Sequence, residues 1–467
     1  MIYKKLPITV LLLFILFNGN AQKKEFTYMD LFDLQYASDP QISPNGEWVV
    51  YRRMRMDVMK DKSVGDLWII KTDGSEHQKL TSKDNSELSP RWSPKGDRIA
   101  YVSSTDEGFE IFIYWFNTGK SAKISQLPFS PGSLTWSPNG DQLAFTMKLE
   151  EKTPVVAKMP KKPKGAKWAE APRITDRLYH EADGRGYIKP GFSHIFTIPA
   201  NGGAPRQLTS GDFHHRGKLS WSPKGDKIYF SANRTADWEY EFRNSEIYSI
   251  GVENGTISTL TNRKGPDSYP VASPNGKFIA YIGYDDQVQT YQVRRLYLMN
   301  VDGSNQRVVS QELDRSVSDI VWDSKSEGLY FSFDDKGNSK IGYITAQGKV
   351  KKLADDMGGT TIGRPYASGS FSVSKNGKIV FTKTRPEHPS DLAILNAKAK
   401  SPVKITDLNQ GLLSYRNLGK VEEVWYKSSV DQRDIQGWVV YPPDYDASKK
   451  YPFMVENHGG PILNYGD

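Results

Sequence analysis

Trp221-Ser222-Pro223-Lys224-Gly225-Asp226-Lys227-Ile228-Tyr229-Phe230 decides how this chain is read, because versions of it return at nearly fixed spacing. Related stretches begin at Ser43, Ser93, Ser137, Ser222 and Ser273, and in weaker form at Asp323 and Ser374, making seven copies. Ser-Pro-x-Gly suits a type I turn: proline presets φ at the second position and glycine accepts the exit geometry at the fourth. The run after each turn, such as Ile99-Ala100-Tyr101-Val102 or Phe278-Ile279-Ala280-Tyr281, is short, apolar and aromatic. That is the composition of a strand covered on both faces.

A second series alternates with the first, beginning at Leu67, Ile111, Ile195, Ile247, Leu296, Ile341 and Leu392. Ile195 to Thr209 reads as strand, Gly-containing turn and strand, a β-hairpin signal. Each period therefore supplies at least three strands, and a period of about 50 residues belongs to solenoids, propellers and arrays. Strands without helices favour an all-β, seven-bladed β-propeller over residues 39–409.

The composition, 37% hydrophobic and 25% charged, is that of an ordinary globular chain and excludes wholesale disorder. The net charge is +8, but Lys158, Lys161, Lys162, Lys164 and Lys167 crowd one proline-rich segment that reads as a solvated loop. No nucleic-acid-binding module accompanies them, so no nucleic acid partner is expected. Residues 1–21 combine Lys4 and Lys5, an apolar run from Ile8 to Phe17, and small residues at Gly19 and Ala21. This is the pattern of a secretory signal peptide cleaved after Ala21, too short for a comfortable span. An exported protein, periplasmic or secreted and without a stable membrane anchor, is expected. Having no cysteine, it has no disulfide, thiol nucleophile or lipidated amino-terminal cysteine. In the segment 22–38, Thr27 is placed to cap a short amphipathic helix over Tyr28–Leu34, with Asp30 near its positive end.

From Ser137 to Ile195 the gap is about 58 residues, far beyond a usual loop. The insertion, about 147–191, is Lys/Pro-rich in its first half. In its second half, Pro172 to Tyr179 and Asp183-Gly184-Arg185-Gly186-Tyr187 read as two strands around an Asp-Gly loop. Bordering a substrate entrance and being a tolerated surface insertion fit it equally. His214-His215 raises the question of a metal, but adjacent histidines in a strand point to opposite faces and no partner motif is nearby. No metal and no cofactor are expected. Trp238 and Tyr240 are read as packing between blades.

Past Asn409 the pattern changes, and a new domain is expected over 420–467. Val421–Tyr426 and Ile435–Tyr441 read as strands joined by a polar turn from Ser428 to Asp434. Phe453-Met454-Val455-Glu456 reads as another strand, followed by His458-Gly459-Gly460-Pro461. A Gly-rich loop directly after a strand is what an oxyanion hole requires, because without Cβ atoms backbone N–H groups can approach a developing negative charge. A tight turn alone is the plainer alternative.

Here the chain resembles the prolyl oligopeptidase family of serine peptidases, especially its acylaminoacyl-peptidase and dipeptidyl-peptidase-like bacterial branch. The resemblance covers essentially the whole mature chain. It rests on the Ser-Pro-x-Gly repeats, on Arg173 to Leu178 with Asp183-Gly184-x-Gly186-Tyr187, and on Gln436-Gly437-Trp438 through Lys450-Tyr451-Pro452 to His458-Gly459-Gly460-Pro461. It implies a propeller capping an α/β-hydrolase domain that cleaves peptides, the propeller restricting substrate size. Carried over, Gly460 offers its backbone N–H to the oxyanion, Gly459 shapes the loop, and His458 is not the catalytic base. The family's serine sits downstream in a Gly-x-Ser-x-Gly elbow, which occurs nowhere in these 467 residues. The expectation is therefore an incomplete hydrolase domain, truncated before the nucleophile and inactive as it stands. The alternative is a non-enzymatic, TolB-like periplasmic propeller with similar WD40-like repeats that binds protein partners.

Overall fold

The computed structural model describes residues 23–81, 86–152, 155, 157, 159–169, 172–364, 366–396, 401–460 and 464–466. The expected signal peptide, Lys158 and Pro461 lie outside them.

Five antiparallel four-stranded sheets follow one another, then one sheet of eight strands. The first sheet shows the plan: Gln35–Ile42, Trp48–Asp57, Lys62–Lys71 and Gln78–Lys79, paired in sequence order. In the third, the insertion separates the second strand, Gln142–Glu150, from the third, Gly191–Pro199. The eight-stranded sheet runs from Ser318–Trp322 to Val403–Lys404, and one residue pair, Met357 with Lys383, joins its two halves. First strands of successive sheets pack on one another, and Gln35–Ile42, the first strand of the first sheet, packs on Phe371–Val373 and its neighbours, so the sheets close into a β-propeller ring. The first and last strands belong to different sheets, and side chains and turns make the closure.

The Ser-Pro-x-Gly turns form as read. Gly46, Gly96, Gly140, Gly225, Gly276 and Gly377 each donate N–H to the carbonyl three residues earlier. All six take φ between 69° and 79°, which glycine reaches at little cost. In the weak copy Ser326 takes φ 62° instead, and its hydroxyl accepts the Asn275 N–H at 3.1 Å. The serine that opens each turn stays in the structure too: Ser43, Ser137 and Ser273 accept the N–H of the first residue of the following strand, and Ser374 that of Lys378 just before its strand, at 2.9–3.0 Å.

These turns join sheet to sheet. A Cβ on Gly96, Gly140, Gly225 or Gly276 would lie 3.4–3.7 Å from the ring of Pro44, Pro94, Pro138 or Pro223 in the preceding sheet. The tryptophan before the turn reaches the same way. Trp92, Trp136 and Trp322 donate Nε1–H to the carbonyls of Gln41, Arg91 and Val271 at 2.9–3.0 Å. Where that tryptophan is replaced, by Ile42 and Ala272, the backbone N–H instead donates to a serine hydroxyl of the preceding sheet, Ser372 or Ser220. Trp221 breaks the pattern: its Nε1–H is buried with no partner.

The second series also has a structural reason. The N–H of Ile111, Ile195, Ile247, Leu296 and Leu392 each donates to the hydroxyl of a Ser or Thr fourteen residues on, at 2.8–2.9 Å. Leu67 donates to the Glu87 carboxylate instead, which also accepts the Thr81 hydroxyl. The second strands are buried on both faces, as the apolar runs imply: Ile99, Ala100, Tyr101 and Val102 are all core residues.

Two local expectations are corrected. The short helix at Tyr28–Asp33 forms as a 3-10 helix with Thr27 joined to Asp30 at its start, but it is not amphipathic: Tyr28, Met29, Leu31 and Phe32 are exposed and Asp30 is buried. The buried face is set by a charge, since Asp30 pairs with Arg416. The insertion's Asp-Gly loop does join two strands, but they are only Glu181–Ala182 and Gly186–Tyr187. Pro172 to Tyr179 is irregular because its side chains are committed elsewhere: Arg173 stacks 4.5 Å over Tyr187, and Arg177 stacks 4.5 Å over Phe192 while pairing with Glu151 at 2.6 Å.

Candidate functional site

In each sheet the Ser-Pro-x-Gly turn joins the first and second strands, and the connection from second to third strand lies at the opposite end. The insertion is such a second-to-third connection, so it stands on the rim away from the proline turns. The segment after the propeller lies on that same rim. Val421–Lys427 and Asp434–Val440 form the expected hairpin in full register. Gln436 donates to the carbonyl of Lys336 at 3.0 Å, in the second-to-third turn between Gly328–Asp335 and Asn338–Thr345. A Cβ at Gly337, where φ is 78°, would meet the Trp438 ring at 2.5 Å, so glycine is what lets the hairpin dock.

Residues 441–460 contain no strand, which corrects the expectation for Phe453–Glu456. Phe453, Met454 and Val455 are exposed, and among the described residues nothing runs beside them to complete a ladder. Backbone groups without neighbours stay solvated rather than forming a strand. Gly459 and Gly460 are open to solvent, a Cβ on Gly459 would meet nothing within 4 Å, and Gly460 has φ 138°. The His458 ring lies 4.9 Å from Tyr465, which in turn bridges to Tyr366 on the propeller and donates to Glu456 at 3.2 Å. Among the described residues the loop thus has unbonded N–H groups at Gly459 and Gly460 and a tether to the rim, with no nucleophile or base beside it.

The insertion builds a second concave feature on this rim, a cavity of about 280 Å³. Its floor comes from the strand His215–Trp221 and the residue before it. His214 faces the cavity, with its ring 5.0 Å from Phe192 and 5.5 Å from Trp238. His215 faces the other way, against His194 and Phe230, with Nε2 2.6 Å from Arg234. The opposed orientation is the one that strand alternation requires. Burial and the charges of Arg216, Lys148 and Arg177 hold His214 down to about 3, and burial with Arg234 holds His215 down to about 4. Both are neutral at ordinary pH. Among the described residues no group of three or more His, Asp or Glu is placed to hold a metal, and no helix is long and apolar enough to cross a membrane. Trp238 packs between blades as read, its ring 6.1 Å from Phe192 of the third sheet and 5.5 Å from His214 beside the fourth, and it also lines this cavity, whereas Tyr240 is exposed. The basic lining was missed in the sequence because Arg173, Arg177 and Arg216 are scattered, and only the insertion's fold gathers them.

Residues 56–156 match the family model described as TolB beta propeller domain, and residues 167–286 match that of the dipeptidyl peptidase IV N-terminal region. The chain is similar to dipeptidyl-peptidase 5 of Porphyromonas gingivalis, 26% identical over 452 residues, covering 92% of this chain and 62% of that protein. It thus spans less than two thirds of that relative's length. In structure it is similar to an acylaminoacyl peptidase of Pyrococcus horikoshii, with TM-score 0.66 and 18% identity, over 90% of this chain and 60% of that one. It is also similar to the β-propeller domain of the Trilobed protease from Pyrococcus furiosus, described as having an open velcro topology, with TM-score 0.55 and 17% identity over 81% and 98% of the two chains.

The fold and these matches define the class first: a β-propeller region of the kind carried by peptidases. More narrowly, they support assigning the chain to the prolyl oligopeptidase family of peptidases.

Proposed function

We propose that this chain is the propeller and the opening strands of the hydrolase domain of an exported serine peptidase acting on short peptides. The observation that carries the reading is the docking of the 421–440 hairpin, and the loop beyond it, on the rim that also bears the insertion. On this reading the eight-stranded sheet is two blades joined by one residue pair, so the ring has seven blades over 39–409 and the hydrolase begins near 420. The N–H of Gly460 is one oxyanion donor and Gly459 keeps the loop open to substrate. The propeller limits which peptides reach that rim. The 467 residues contain no Gly-x-Ser-x-Gly, so by themselves they lack the covalent step and are inactive. A TolB-like partner-binding scaffold is the less favoured reading, because it gives no role to the docked hairpin and glycine loop.

The test is fluorophosphonate labelling of the native source, with the labelled band sized by an antibody against the propeller. Labelling of a species larger than this 467-residue chain is expected. A sole, unlabelled species of this chain's size would overturn the peptidase reading.

A further inference from the structure

The rim cavity gathers positive charge that the protein does not compensate. Arg173, Arg177, Lys189 and Arg216 line it together with His214 and Trp238. Two of these cations are partly neutralised within the chain: Arg177 pairs with Glu151 at 2.6 Å and Lys189 with Glu150 at 3.1 Å. Arg216 and Arg173 are not. Among the described residues neither has a carboxylate or a hydrogen-bond partner, and Arg173 has only the face of Tyr187. Asp176 is the one carboxylate of the lining, and it bonds neither of them. Arg216 instead lies beside the Tyr179 phenol and within the fields of Arg185 and Lys148.

Arg173, Lys189 and Arg216 are exposed, and like charges held together in a concave place raise the free energy of the empty site and lower it for an arriving anion. A guanidinium presents a planar fork that matches a carboxylate in a two-point geometry. The Ser193 N–H points to His214 Nδ1 at 3.4 Å. A neutral imidazole accepting there carries its proton on Nε2, which adds an uncharged donor. Trp238, Tyr179 and Tyr187 supply apolar faces around these groups, and the volume sits near the lower end of ligand pockets, which begin at about 300 Å³. The combination fits a small anion attached to an apolar body, which among peptides is a carboxylate beside a hydrophobic residue.

We propose that this cavity binds a peptide carboxylate, with Arg216 as its anchoring group. The proposal rests on the peptidase reading only in taking the ligand to be a peptide. The carboxylate can come from a free carboxyl terminus or from an Asp or Glu side chain, and the test separates the two.

Calorimetric titration of the full chain with three N-acetylated tripeptides is the experiment: Ala-Ala-Phe as the free acid, Ala-Ala-Phe as the carboxamide, and Ala-Asp-Phe as the carboxamide. Binding of the free acid at least tenfold tighter than the first amide assigns the site to a carboxyl terminus, and recovery of binding in the Asp amide assigns it to side chains. In either case Arg216→Gln is expected to remove at least tenfold of the affinity, and Arg216→Lys less. Equal affinity for all three peptides, no binding of any, or unchanged affinity in a folded Arg216→Gln chain would overturn the proposal. The peptide comparison on the unaltered chain decides even if the variant does not fold. The fluorophosphonate result is independent of the cavity, so failure of this site and failure of the peptidase reading are distinguishable.

Discussion

Arg416 grips Asp30 at two points, Nε to Oδ2 at 2.9 Å and Nη2 to Oδ1 at 2.6 Å, across 386 residues of sequence. The pair locks the segment before the first sheet to the segment after the last, where Lys24–Glu25 and Arg416–Asn417 run in parallel. Asn409 repeats the link, exchanging hydrogen bonds with both backbone groups of Gln35. Asp30→Asn should therefore free residues 23–34, and the measurement is the rate of limited proteolysis within them. A rate equal to that of the parent would show that the pair holds nothing. The Arg416 guanidinium holds the Asp30 carboxyl well below the usual carboxylate range. A depressed folded value makes the contribution fully present above the unfolded carboxyl pKa of about 4. It is lost only as pH falls further, through the folded value, so the clasp outlasts mild acid.

The tryptophan joints differ in a way that a pair of substitutions can read. Trp136→Phe removes the bond to the Arg91 carbonyl, whereas Trp221→Phe removes a buried N–H that has no partner. Both lose ring volume, but only the first loses a hydrogen bond. Urea unfolding should show Trp136→Phe the more damaging by about 1 kcal/mol. Equal losses would mean that the bond contributes nothing net.

Glu87 carries a pH dependence of opposite sign to that of Asp30. Burial pushes its carboxyl up to about 7, against the opposing bonds from Thr81 and Leu67. A raised folded value favours the protonated form in the native state. Its contribution is therefore full below the unfolded pKa of about 4.3 and is lost as pH rises through the folded value near 7. Relative to Glu87→Gln, the parent should lose up to about 3 kcal/mol between pH 4.5 and pH 8. Parallel stability curves for the two chains would contradict this.

Gly225 tests the turn series. Its φ of 75° is left-handed, yet a Cβ there would meet only Pro138 Cδ, at an ordinary 3.6 Å. Gly225→Ala should thus cost about 1–2 kcal/mol through backbone conformation alone. A thermal melt unchanged from the parent would show that the turn relaxes.

Much of the propeller was legible because two series at one period each left a mark of their own. Pro and Gly are demanded by the turn, and the hydroxyl after each short outer strand is demanded by a buried N–H fourteen residues away. Less legible was what depends on register. In six sheets the first strand carries a bulge with a left-handed residue, Asp39, Ser89, Ser133, Gly217, Tyr269 or Asp319, spread over four residue types with no single one in common. The joining of two strand groups through Met357 and Lys383 left no trace either. At the candidate site, Gly459 and Gly460 could be picked out by type. Whether they shape a hole depends on neighbours that no local pattern encodes. The basic cavity was invisible for the same reason.

The unpartnered Trp221 indole has a mechanical consequence. A ring of sheets shares a load equally only if every grip is alike, and among the described tryptophan joints the one at Trp221 is slacker. It lies between the third and fourth sheets, the two that hold the insertion and the strand bearing Arg216. A ligand seated in the cavity would bridge the same two sheets at the opposite rim, bracing from one end a joint that is slack at the other.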